Sequence, residues 1–205
     1  VRVRVLLVSL GIVVVDQCSK LLVRGISLPF LGIAWPGLPY GVSHRVLGDF
    51  LRLTYVENPG MAFGIDVGGK PLFAVISVVA SVAILLYLYK VRHERLGFRV
   101  ALAMILGGAV GNLVDRVFYG VLFDQAPLFY GKVVDFIDVD FFNINLGFYH
   151  FHRWPVFNLA DACVTIGVIL VFFFHRTAVH HGGVLLGEPV ATESGTTHEA
   201  EVGKH

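Results

Sequence analysis

The chain has 205 residues, 56% of them hydrophobic and 15% charged, with a formal net charge of +1. A chain of this length and apolarity cannot hide its surface in one water-soluble core, and its near-neutral balance lacks the basic field a nucleic-acid binder needs. Lipid is the solvent this composition calls for, and nucleic acid is not expected as a partner.

Four runs reach the ~20 residues needed to cross a ~30 Å hydrocarbon layer, at about 3–23, 72–89, 100–116 and 155–174. Arg2 and Arg4 precede the first run as in a signal peptide, but "VVDQCSK" offers no small-residue cleavage site, so the run reads as a retained helix. It carries Asp16 and Lys20 at i, i+4 with the acid first, which suits either a structural helix pair or a functional intramembrane charge. Cys18 and Cys163 lie within apolar runs and read as small packing residues.

Beyond the first run, "LGDFLRLTYV" alternates Leu51, Leu53 and Tyr55 with polar partners, predicting a short strand. "VENPGMAFG" follows, with Asn58, Pro59, Gly60 and Phe63. It fits a tight turn or a loop whose backbone approaches a substrate closely. The connection "YKVRHERLGFR" sets Lys90, Arg92, Arg95 and Arg99 against Glu94 alone, which places it in the cytoplasm together with the N-terminus. The longer connections, about 24–71 and 117–154, then lie outside.

The third run ends in "GGAVGNLVDR", with Asn112, Asp115 and Arg116. "VFYGVLFDQAPLFY" comes next. Its aromatics Phe118, Tyr119, Phe123, Phe129 and Tyr130 suit a membrane interface, and Asp124 reads as a solvated loop residue. In "GKVVDFIDVDFF" apolar neighbours surround Asp135, while Asp138 and Asp140 read as a solvated turn. The last run, "VFNLADACVTIGVILVFFF", accepts Asn158 and Asp161 within a turn of each other. From about residue 182 the chain becomes small and polar, a tail expected to be disordered in the cytoplasm, and its histidines, with His180 and His181, lack ligand spacing.

At 1.5 Å per residue, Asp16 and Lys20 lie about 18 and 24 Å beyond Arg4, and Asn112 to Arg116 about 20–25 Å along the third run. Asn158 and Asp161 come a turn or two after the last run enters from outside. The polar residues therefore gather at one level in the outer half. An ion pathway needs ionisable groups at several depths, so a transporter is disfavoured. Asp135 and Asp161 flank one connection and can meet at the surface. Two close carboxylates share a proton, and then one acts as base on a water while the other acts as acid on a carbonyl, as in an aspartic peptidase. Spacing alone also allows each to be a helix cap or anchor.

Taken together, "VDQCSK", "VENPGMAFG", "GGAVGNLVDR", "VVDFI" and "FNLADACVTIG", in this order, resemble the lipoprotein signal peptidases (signal peptidase II) of bacterial inner membranes. The resemblance implies four transmembrane helices, with both termini cytoplasmic and a small β-containing extracytoplasmic region, as a peptidase domain over residues 1–181. It implies an enzyme that cuts prolipoproteins just before a diacylglyceryl-modified cysteine, at the outer face of the membrane, in contact with membrane lipid. Asp135 and Asp161 fall on the catalytic positions, and Asp16, Lys20, Asn58, Gly60, Asn112, Asp115, Arg116, Asn158 and Ala160 on positions that shape or support the site. No cofactor or metal is implied. Asn112 and Asn158 each precede an aspartate by three residues, so their amides can bond a carboxylate or a substrate backbone. Arg116 suits Asp115 or a peptide carbonyl. The connection between Arg116 and Gly131 is longer than the family's compact one. The rival reading is a non-catalytic scaffold that binds lipidated peptides in the same pocket.

Overall fold

A computed structural model describes residues 4–60, 70–140, 144–145, 150–151 and 153–182. Helix α1 (Leu6–Arg24) is a largely apolar run, broken by the polar stretch Asp16–Lys20, that stops at Gly25, whose φ of 89° lets its N–H turn back onto the Leu21 carbonyl. Strands β1 (Ile26–Leu28) and β2 (Ile33–Trp35) form a hairpin, followed by β3 (Ser43–Leu47) and β4 (Leu51–Asn58). Helix α2 (Lys70–Lys90) leads by a short turn to α3 (Leu96–Val114), which continues through one π turn (Asp115–Tyr119) into the single turn α4 (Gly120–Leu122). Strand β5 (Val133–Val139), the two-residue strands β6 (Ile144–Asn145) and β7 (His150–Phe151), and helix α5 (Leu159–Gly182) complete the order.

Among the described residues, α1, α2 from Pro71, and the continuous stretch Leu96–Leu122 are long and apolar enough to cross a membrane; Leu159–Phe174 of α5 is a shorter apolar stretch. The third run thus begins earlier and ends later than its sequence pattern predicts. The fourth differs more. Residues 155–158 are not helical, because Phe157 bridges Ile137 of β5 in antiparallel fashion and Asn158 caps the helix behind it. "MAFG" after Gly60, residues 61–64, and residues 183–205 of the expected tail lie outside the described residues.

Helix α3 is the hub against which α1, α2 and α5 pack. Small residues let them close: a Cβ on Gly108 would overlap the Ala160 carbonyl oxygen of α5. One apolar cluster, with Val5, Leu88, Leu102, Ala103 and Leu106, fills the end of the bundle where α1 begins. A second, with Val23, Tyr55, Tyr119, Val134 and Phe136, lies under the sheet at the other end. Between them sits a polar layer.

The sheet runs β3-β4-β5, antiparallel throughout. Leu53 faces Ile137 and Val56 faces Asp135, so two residues of β4 stand opposite Phe136 alone, a β-bulge beside Asp135. Asp138 is not in a solvated turn. It lies on β5, 5% exposed, where Arg153 Nε (2.7 Å) and the Thr54 hydroxyl (2.8 Å) satisfy its carboxylate. Those partners come from distant parts of the chain and convert an outward acid into a buried staple. Asp140, just past the strand, faces Arg153 Nη1 at 3.4 Å.

Candidate active site

The site begins with the start of α5. Asn158 Oδ1 accepts the Asp161 N–H (2.9 Å), and Asp161 Oδ2 accepts the Asn158 N–H (3.3 Å), a reciprocal capping box. This local device fixes the rotamer of Asp161 and leaves the Asn158 amide nitrogen free to act elsewhere. It donates to Asp135 Oδ1 (2.6 Å) and to Asn112 Oδ1 (3.0 Å). Asn112, on α3, donates in turn to Asp161 Oδ1 (2.7 Å). Two asparagines therefore join the two aspartates, one on a strand and one on a helix. The Phe157–Ile137 bridge holds that strand and helix start in register.

Asp135 is buried, at 3% exposure, while Asp161 is half-buried. Burial first, and the neighbouring Asp161 charge second, push the Asp135 carboxyl up to about 7, against the opposing hydrogen bonds from Asn158 and Asn58. Asn58 Oδ1 accepts the Gly60 N–H (2.9 Å), which leaves its amide nitrogen for Asp135. Gly60 has φ 100°, and a Cβ there would stand 2.8 Å from the Phe73 ring, so only glycine fits.

Beneath this layer, Lys20 is fully buried and all three of its protons have takers: Asp16 (2.8 Å), Asp115 (2.8 Å) and Asn112 Oδ1 (2.9 Å). Each acid also grips a backbone N–H. Asp16 takes that of Ala160 (3.0 Å), the residue before Asp161; Asp115 takes that of Val134 (3.2 Å), the residue before Asp135. One ammonium thus ties together the two carboxylates that anchor the approaches to the dyad. Ala160 is 0% exposed, and its methyl group packs by Gly111, which explains a small residue there.

Of the residues singled out by sequence, Asp16, Lys20, Asn58, Asn112, Asp115, Asp135, Asn158, Ala160 and Asp161 share this network, and Gly60 shapes its edge. Arg116 differs from one of its two expectations. Among the described residues it forms no ion pair with Asp115; its Nη1 lies 3.4 Å from both Ser77 Oγ and the Asn112 carbonyl, on the side of α3 that faces α2. Sequence reasoning missed Gln17. Its amide donates to Asp115 Oδ1 (2.8 Å), the Gly111 carbonyl (3.0 Å) and Asp16 Oδ2 (3.2 Å), and accepts the Tyr119 hydroxyl (3.0 Å). A polar residue beside Asp16 in an apolar run was the available signal.

A buried network of acids, amides and one lysine, set in apolar helices beside a small sheet, marks a membrane enzyme. The fold agrees: two solved structures described as bacterial membrane enzymes superpose with TM-scores of 0.64 and 0.62, at 27% and 29% identity, covering 92% and 83% of this chain and 94% and 90% of theirs. The signal peptidase (SPase) II family profile matches residues 8–176. Lipoprotein signal peptidases of Chlorobaculum parvum (34% identity; 82% of this chain, 92% of theirs), Moorella thermoacetica (35%; 81% and 88%) and Porphyromonas gingivalis (31%; 93% and 89%) are similar over most of their length. The chain belongs to the signal peptidase II family, as a bacterial multi-pass membrane peptidase.

Proposed function

We propose that the chain removes the signal peptide from prolipoproteins by aspartic peptidase chemistry, with Asp135 and Asp161 as the catalytic pair. The observation that carries this reading is the joining of two carboxylates from separate elements through Asn158 and Asn112, with one of them raised to about 7 and so able to hold a proton at neutral pH. A scaffold gains nothing from bringing two acids together in a dry layer at the cost of their mutual repulsion.

In the proposed reaction Asp161 takes a proton from water as the water oxygen bonds to the scissile carbonyl carbon, and Asp135 gives its proton to the carbonyl oxygen. The tetrahedral diol collapses when Asp161 returns its proton to the departing nitrogen and Asp135 recovers one from a hydroxyl. The C–N bond breaks, releasing a new carboxyl end and the amine of the cysteine. Spare donors of the Arg116 guanidinium, whose own contacts are long, can hold a peptide carbonyl. The substrate is a prolipoprotein with a diacylglyceryl cysteine, its acyl chains remaining in lipid; nucleic acid has no role.

The same reading has four spans with both termini in the cytoplasm of a bacterial inner membrane, the site at the outer face, and a peptidase domain over residues 1–181. The basic connection Lys90, Arg92, Arg95 and Arg99 supports the orientation. Asp135→Asn and Asp161→Asn should each abolish cleavage of a diacylated prolipoprotein while binding of that substrate persists, and the double variant should be no worse. Near-normal turnover by Asp161→Asn would overturn the pair.

A further inference from the structure

We propose that residues 120–131 form a strap that shapes the π turn and thereby aims Arg116 at the dyad, with Phe129 and Gly131 as positioning residues. The role given to Arg116 rests on the reaction proposed above. The π turn sets two neighbouring side chains to opposite tasks. Asp115 turns toward α1 to meet Lys20 and Gln17, whereas Arg116 turns toward Ser77 of α2, within reach of the charges of Asp161 and Asp135. Arg116 is weakly tethered by its own bonds, both at 3.4 Å, so the backbone that carries it decides where the guanidinium points.

That backbone is held from outside the helix. The Gly131 N–H donates to the Arg116 carbonyl (3.0 Å) and the Phe129 N–H to the Val117 carbonyl (3.2 Å). At the base of the strap, Gly120 O accepts the N–H groups of Gln125 (2.8 Å) and Ala126 (3.0 Å), closing the loop on itself. The contact is backbone on backbone. A Cβ on Gly131 would overlap the Asp115 carbonyl oxygen and come within 3.1 Å of the Arg116 carbonyl oxygen. Phe129 donates from a left-handed conformation, φ 69°, which a bulky residue adopts only where its surroundings impose it. π turns are uncommon and tend to mark functional places, and this one is kept by donors from a segment that then runs directly into β5 and Asp135.

The test uses the full chain in detergent with a diacylated prolipoprotein. Gly131→Ala should lower kcat about tenfold with little change in KM, because a misplaced guanidinium weakens the transition state more than the ground state. In an Arg116→Lys background the same change should cost nothing further, since both act through one group. Asp124→Gly, which relaxes a residue at φ 54° that does not bond the π turn, should leave turnover unchanged. A protease site placed after exposed Asp124 removes any dependence on folding: cutting the folded enzyme should reproduce the Gly131→Ala loss. The strap is overturned if the cut enzyme keeps full turnover, or if its loss multiplies with Arg116→Lys. Activity in Asp161→Asn would instead overturn the reaction while leaving the strap's fold-change and its non-additivity measurable.

Discussion

Two charge clusters, one at each side of the dyad, are nearly inversions of each other. In the bundle, one cation, Lys20, serves two anions, Asp16 and Asp115, all at 0% exposure. At the sheet, one anion, Glu57, serves two cations, Arg24 at 3.3 Å and Lys132 at 3.1 Å, with the Tyr55 hydroxyl at 2.7 Å. Lys132 is 40% exposed, so water remains an alternative partner there, whereas the bundle trio is at 0% exposure and the described neighbour that also bonds both acids, Gln17, is neutral and cannot replace the Lys20 charge. The difference teaches that the same electrostatic plan has unlike functions by location. The bundle cluster fixes the backbone before each catalytic candidate; the sheet cluster holds the end of β4, where the Asn58 side chain reaches Asp135.

Breaking the bundle cluster should have the largest effect. Lys20→Met leaves two buried carboxylates facing each other without a cation, a change that typically costs about 3–5 kcal/mol, enough to lose most folded protein from a marginally stable chain. Thermal unfolding in detergent should show a collapse of the midpoint, with cleavage falling below detection. A midpoint near that of the parent would deny Lys20 its role as the tie. Asp16→Asn and Asp115→Asn should be milder, since an amide oxygen still accepts the Ala160 or Val134 N–H; activity should fall by about 10- to 100-fold, in the range of lost supporting contacts.

The next effect is a pH dependence that isolates the dyad from both clusters. The Asp135 carboxyl sits at about 7, above its ordinary value, so its ionised form is the one the folded protein disfavours. The sign follows: wild type loses stability as pH rises from about 4 toward 7, and the loss stays above 7. Asp135→Asn should therefore melt higher than wild type at pH 8 and equal to it below pH 4. In kcat/KM the wild type should show an alkaline limb near 7, where Asp135 gives up the proton it must donate. A flat profile through pH 8 would remove Asp135 from the acid role.

Much of this site was legible as residue types but not as bonds. Hydropathy located the apolar helices, and the i, i+4 pair Asp16–Lys20 was visible within one helix. That Lys20 also serves Asp115 depends on two helices meeting over small residues, which no local spacing encodes. Asp138 was misread for the same reason: β5 is buried along nearly its whole length, so the period-2 signal that separates inward from outward residues is absent, and Arg153 and Thr54 supply its partners from afar. Pro155 and Asn158 did carry a legible signal against a helix start at residue 155. An Asn three residues before an acid is the form of a capping box, and α5 begins after it. The π turn and its strap had no local signature at all.

The smallest effect sharpens the contrast between clusters. Glu57 is buried enough that burial alone would raise its carboxyl, but the Tyr55 hydroxyl, Lys132 and Arg24 outweigh that and hold it below the ordinary carboxylate value. Its stabilisation is therefore present above the unfolded value, near 4.3, and is lost as pH falls through the lowered folded value. Glu57→Gln should cost about 1 kcal/mol at pH 7, and the difference from wild type should vanish as the pH is lowered below 4. Lys132→Met should cost less, within the ~0–1 kcal/mol of a solvent-accessible pair, because Arg24 and Tyr55 still hold the carboxylate. Activity should track how far Asn58 shifts, and so fall only a few-fold in either variant. Were Lys132→Met to cripple the enzyme as thoroughly as Lys20→Met, water would not be the alternative partner that its exposure makes available, and the division between a tie in lipid and a brace at the surface would fail.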